Sequence, residues 1–190
     1  MPARIHLRPF DGPPKAALVL GHGAGGGVDA PDLRAATRAA EAEGVRVALV
    51  EQPYRVAGRR SPPPAPHLDA AWIEVLAELT AGPLRGVPLI VGGRSSGARV
   101  ACRTAAATGA AGVLCLAFPL RPPGRDVSRL DELKQVMVPV LVVQGRSDPF
   151  GVPRSSGQRK VVRVDGDHSL RAGLPAVERA VRSWLVEFAT

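Results

Sequence analysis

Six short runs of apolar and β-branched residues punctuate this chain, at 16–20, 45–50, 88–91, 112–118, 139–144 and 160–164. Near-continuous hydrophobicity of this kind suits strands buried on both faces, and a sheet of such strands needs helices above and below it. Helical patterns fall between the runs. Residues 32–43 carry Leu33, Ala36 and Ala40 near helical spacing and stop at Gly44, a fitting C-terminal glycine. Residues 68–79 place Ala71, Trp72, Val75, Leu76 and Leu79 on one stripe. Residues 96–108 are small and Ala-rich, 130–137 suggest a short helix, and 175–188 bury Val177, Val181, Trp184, Leu185 and Phe188. Both tryptophans are therefore assigned to the core. Residues 4–8 alternate more strongly and predict an edge strand. The pattern predicts an open, mostly parallel, doubly wound α/β sheet of six to seven strands with helices on both faces. Residues 1–190 are expected to form one domain, with 61–66 (Ser-Pro-Pro-Pro-Ala-Pro) as an extended connector.

Composition excludes several classes of function. No apolar stretch is long enough to cross a bilayer, and the N-terminal residues lack the apolar block of a secretory signal. A cytoplasmic protein with no membrane partner is expected. The two cysteines, Cys102 in a helical stretch and Cys115 in a strand-like run, read as small buried hydrophobes, and no Cys/His spacing fits a metal site. The formal charge of +8 invites a nucleic-acid reading, but the arginines are scattered and aromatic residues make up only 4%. No stacking platform is interleaved with basic residues, so a solvated basic surface is the better account and no nucleic-acid partner is expected.

The run at 88–91 is followed by Gly93-Arg94-Ser95-Ser96-Gly97. A G-x-S-x-G segment between strand and helix describes a turn sharp enough to hold one serine hydroxyl outside the sheet. Glycines on either side let the helix start close against the strand. Ser96 would present its backbone N–H at the helix N-terminus, where donors are unpaired.

In open α/β sheets ligands bind beyond the carboxyl ends of the strands. Three more strand ends carry chemically capable groups. Residues 21–27 read Gly-His-Gly-Ala-Gly-Gly-Gly, residues 145–151 Gly-Arg-Ser-Asp-Pro-Phe-Gly, and residues 165–169 Asp-Gly-Asp-His-Ser. A serine is a poor nucleophile unless a base takes its proton, and His168 titrates in the right range to do so. Asp148 would fix the tautomer of that ring and stabilise the imidazolium. The backbone N–H groups of Ser96 and Ala24, with Gly25 as alternative to the latter, would receive an oxyanion. Each residue also has a plainer role: Ser95 as a helix N-cap, Asp148 as a turn former before Pro149, His168 as an exposed loop residue. Asp165 and Asp167 are rival acids, but they adjoin His168 in sequence. His22 is read as a brace of the glycine loop, His6 as an edge-strand residue and His67 as the lead-in to a helix. The glycine loop lacks the Lys-Ser/Thr ending of a phosphate-binding loop, and only Glu51 could serve as the acidic partner of a dinucleotide fingerprint.

Taken together, 18–25, 92–101, 142–151 and Asp167-His168 resemble the α/β-hydrolase superfamily, and more narrowly its small, lidless, dienelactone-hydrolase-like branch. The resemblance spans nearly the whole chain. It implies a serine hydrolase with Ser95, Asp148 and His168 as triad, acting on a small-molecule acyl substrate without metal or organic cofactor. The interval from Phe118 to Pro139 leaves no room for a cap domain. Tyr54, Arg55, Leu120, Arg121 and Phe150 would then line the crevice, with Arg55 or Arg121 placed to orient an acidic substrate. The branch is also similar to interaction subunits, including some in nuclear chromatin-modifying assemblies. A non-catalytic scaffold is thus the alternative, and acyl transfer to an acceptor other than water a third. A scaffold, however, has no need of serine, acid, histidine and donor loop all together.

Overall fold

The computed structural model describes residues 2–188. Its strands are β1 (Arg4–Leu7), β2 (Ala16–Gly21), β3 (Val45–Glu51), β4 (Leu89–Arg94), β5 (Gly112–Leu116), β6 (Val140–Gly145) and β7 (Arg159–Val164). Its helices are α1 (Pro31–Ala42), α2 (Pro53–Val56), α3 (Ala65–Ala81), α4 (Ser96–Thr104), α5 (Leu130–Lys134) and α6 (Leu174–Leu185). The strands form one sheet in the order β1-β3-β2-β4-β5-β6-β7, parallel except for β1, which runs antiparallel to β3 at the edge.

Period-two alternation explains how two cores arise from continuous apolar runs. In β2, Ala17 and Val19 face one layer while Ala16, Leu18 and Leu20 face the other. The first layer is filled by α3, α4 and α5, with Trp72 and Phe118 among its largest side chains. The second is filled by α1 and α6, with Trp184 among its buried side chains. This is the expected doubly wound arrangement.

Four local expectations need correction. The run at 160–164 is not buried on both faces: β7 closes the sheet at its far edge and remains partly exposed. Proline is well tolerated in a first helical turn, where its missing N–H would be unpaired anyway. Accordingly α3 begins at Ala65 and takes in Pro66, shortening the connector, and Pro53 starts the unforeseen α2. Helix α4 ends at Thr104, sooner than its Ala-rich composition suggested, and Ala110 closes the following turn by donating to Ala105 O at 3.0 Å.

The strand order reverses beside β2, since β3 lies on one side of it and β4 on the other. A crevice opens at such a switch point, outside the carboxyl ends of the strands. The loop after β2 and the turn after β4 meet there.

Candidate active site

Two glycines allow that meeting. A Cβ on Gly93 would lie 2.5 Å from Gly21 O and 2.8 Å from the Gly97 carbonyl carbon, and one on Gly97 would lie 2.9 Å from His22 O. Only hydrogen fits where β2, β4 and α4 approach so closely. The turn bends at Ser95, whose φ of 52° and ψ of −106° belong to a region that non-glycine residues seldom occupy. Its N–H extends the ladder to Leu116 O at 2.9 Å, and its carbonyl accepts the first bond of α4 from Arg99 N–H. Ser95 thus stands at the N-cap position, but its side chain caps nothing. The hydroxyl faces His168 Nε2 at 2.9 Å instead.

His168 Nδ1 lies 2.8 Å from Asp148 Oδ2. A carboxylate can only accept, so the ring proton sits on Nδ1 and Nε2 is left to accept from Ser95. Asp148 is almost fully buried and takes two further donors: Gln144 Nε2–H on Oδ2 at 2.7 Å and Phe150 N–H on Oδ1 at 2.8 Å. Gln144 also donates towards Phe118 O and Gly151 O, both at 3.0 Å. The rival acids do not compete, since Asp165 and Asp167 are both exposed. Asp167 Oδ1 instead accepts from Ser169 N–H and Oγ–H, and those bonds hold its carboxyl below the ordinary range.

The glycine loop is aimed from beneath. His22 is buried, its Nε2 accepts from Gln52 N–H at 3.0 Å, and Nδ1–H therefore donates to Gly23 O at 2.8 Å. Burial also keeps this ring neutral, with its pKa below the usual value. Gly23 O receives a second bond from Gly26 N–H at 3.1 Å. In a trans peptide the carbonyl and the next N–H point opposite ways, so anchoring Gly23 O turns the Ala24 N–H outward. Likewise Tyr54 O–H donates to Ala24 O at 2.8 Å and so orients the Gly25 N–H.

The other expected crevice residues separate into two groups. Tyr54 is buried and lines a cavity of about 580 Å³ together with Gln52, Arg59, Pro62, His67 and Leu68. Arg55, beside it, donates to Arg59 O at 3.2 Å. On the other side, the Phe150 ring lies 4.3 Å from that of His168, and Arg121 N–H donates to Phe150 O at 2.8 Å. Leu120 packs beside Gly151.

These elements match a known family. A model described as an alpha/beta hydrolase domain matches residues 14–174. The chain belongs to this family. No curated protein sequence matches it. Among solved structures it is similar to an alpha-beta serine hydrolase homologue from Coxiella burnetii, 17% identical, covering 96% of this chain and 91% of that one with a TM-score of 0.79. A dienelactone hydrolase from Anabaena variabilis is 18% identical, with 97% and 91% covered and a TM-score of 0.77. A serine hydrolase without lid from Xanthomonas campestris is 22% identical, with 96% and 88% covered and a TM-score of 0.73. At such identities the likeness is one of fold. As a small α/β-hydrolase, the chain has only α5 between β5 and β6 among the described residues, which leaves the crevice without a cap.

Three side chains that support this α/β-hydrolase site went unnoticed in the sequence: Gln144, Arg94 and Asp32. Gln144 did leave a signal, as the single polar residue in the strand that precedes the acid loop. Among the described residues no helix is long and apolar enough to cross a membrane, and no three His, Cys, Asp or Glu side chains are gathered to hold a metal.

Proposed function

We propose that this α/β-hydrolase cleaves carboxylic esters or thioesters through an acyl-enzyme formed on Ser95. The observation that carries the reading is the unbroken hydrogen-bonded line from Ser95 Oγ through His168 to Asp148, at 2.9 and 2.8 Å. As Oγ attacks the acyl carbon, Nε2 takes its proton, and the imidazolium is stabilised by Asp148, which accepts from Nδ1–H throughout. The N–H groups of Ser96 and Ala24 receive the negative charge on the former carbonyl oxygen, each contributing about 3–4 kcal/mol to lowering the barrier. Collapse expels the alkoxide or thiolate, which takes the proton from Nε2. Water then attacks the acyl-enzyme while giving its proton to the same nitrogen, and the acid leaves as Ser95 is reprotonated.

An uncapped crevice suits small or surface-presented acyl groups; the cavity beside Tyr54 is lined by none of Ser95, Asp148 and His168 and lies to one side of them. Phe150 stands against His168 and, on this reading, forms one side of the crevice with Leu120 and Arg121, with Arg55 or Arg121 available to an acidic substrate. The free, buried cysteines fit a cytoplasmic setting. The test is a panel of p-nitrophenyl esters and acyl thioesters of increasing chain length, assayed with wild type and Ser95→Ala. Turnover by wild type and its loss in the variant support the reading. A folded wild type that turns over none of the panel favours the scaffold alternative, and product capture by added alcohols or amines at the expense of free acid favours acyl transfer.

A further inference from the structure

Arg94, the first x of the G-x-S-x-G turn, lies between the glycine loop and the His168 loop. Its Nε stands 3.0 Å from Asp32 Oδ2, and its Nη2–H donates to His168 O at 3.1 Å. The Nη1 end passes the glycine loop so closely that a Cβ on Gly23 would lie 2.8 Å from it. Asp32 sits in the first turn of α1 with its side chain fully buried, and Oδ2 has no aligned hydrogen bond. The contact is therefore an ion pair that fixes one side of the guanidinium while the other side remains free to donate.

Among the described residues the His168 loop is otherwise hydrogen-bonded only to itself and to the acid loop, while Leu170 is buried in the second core. Ser147 N–H and Oγ–H donate to Gly166 O, Leu170 N–H donates to Asp167 O, and Asp148 accepts from the ring. Among the described residues, two hydrogen bonds cross from this loop to the nucleophile turn: the one between His168 and Ser95, which must break during turnover, and the one from Arg94. We infer that Arg94, held by Asp32, is a positioning residue that keeps the His168 main chain in register with Ser95 while the imidazole exchanges its proton. The inference rests on the proposed hydrolase reading. A planar guanidinium suits the task because it offers separate nitrogens in fixed relation, whereas an ammonium offers a single point.

Arg94→Ala would leave Asp32 buried without a countercharge and is a poor test, since it confounds folding with position. Arg94→Lys keeps the cation, and Asp32→Asn/Arg94→Met removes both charges together. Both variants are expected to melt as single cooperative units, to lose about 10- to 100-fold in kcat with KM changed less than twofold, and to react with a fluorophosphonate slower by the same factor. The downfield proton resonance of the His168–Asp148 hydrogen bond is expected to broaden in both. Wild-type kcat and labelling rate in either variant would overturn the inference, as would an unaltered downfield resonance. The resonance needs no substrate, so it decides the role of Arg94 even if the wild type hydrolyses nothing. That last result would count against the proposed function alone.

Discussion

Among the described residues two carboxylates have side chains wholly out of solvent, and they are stabilised in opposite ways. Asp148 is surrounded by neutral donors: a glutamine amide, a backbone N–H and an imidazole N–H. Asp32 faces a permanent cation, Arg94, and otherwise accepts only from the neighbouring Leu33 N–H. For Asp32 burial outweighs the arginine and lifts the carboxyl above its usual range. The contrast separates two uses of a buried charge. On the proposed mechanism, Asp148, ringed by dipoles, serves a partner that becomes cationic only in mid-reaction. Asp32 has spent its charge on a partner that never changes, and what it secures is the place of that partner.

The comparison breaks most visibly at Asp148. In Asp148→Asn the new amide donates to Nδ1 and moves the ring proton to Nε2, where it can no longer accept from Ser95. The expected loss is about 10³–10⁴-fold in kcat, read by steady-state kinetics, and because the same amide faces the Gln144 Nε2–H donor the melting temperature should fall as well. Gln144→Leu probes the dipoles themselves. It leaves Phe118 O, Gly151 O and one Asp148 lone pair without their donor, so chemical denaturation should show a loss of about 2–3 kcal/mol. The smallest effect concerns Asp32. A carboxyl whose folded-state pKa is raised holds its proton more tightly in the folded than in the unfolded chain. Its contribution to stability is complete below the unfolded value of 3.8 and is lost as pH rises through the folded one. Unfolding free energies across the acid range should therefore fall more steeply with rising pH in wild type than in Asp32→Asn. Parallel curves would remove the distinction between the two carboxylates.

The division between what could and could not be read in the sequence follows the same line. The sheet was legible because apolar runs such as 16–20 are buried on both faces, and that burial requires an unbroken pattern. Ser95, Asp148 and His168 were legible because reactive groups in such sheets gather just after strands, leaving few candidates. Burial of the edge strand β7 was overestimated, because the alternation in 159–164 is weak evidence against the surrounding runs. The Arg94–Asp32 pair was illegible for a physical reason. Its partners lie 62 positions apart on elements brought together only by the folded sheet, and neither residue disturbs the local pattern of its turn or helix. His22 was recognised as a brace, but the consequence of its bonds for the Ala24 N–H depends on peptide geometry that composition does not carry.

The central claim is that Ser95 Oγ becomes covalently bonded during turnover. Mass spectrometry of the protein after exposure to a fluorophosphonate, followed by peptide mapping, tests it most directly. One phosphonyl adduct per chain on Ser95, absent in Ser95→Ala and formed at least a hundredfold more slowly in His168→Ala, is the predicted result. An adduct on another residue, or none on a fully folded wild type, would contradict it.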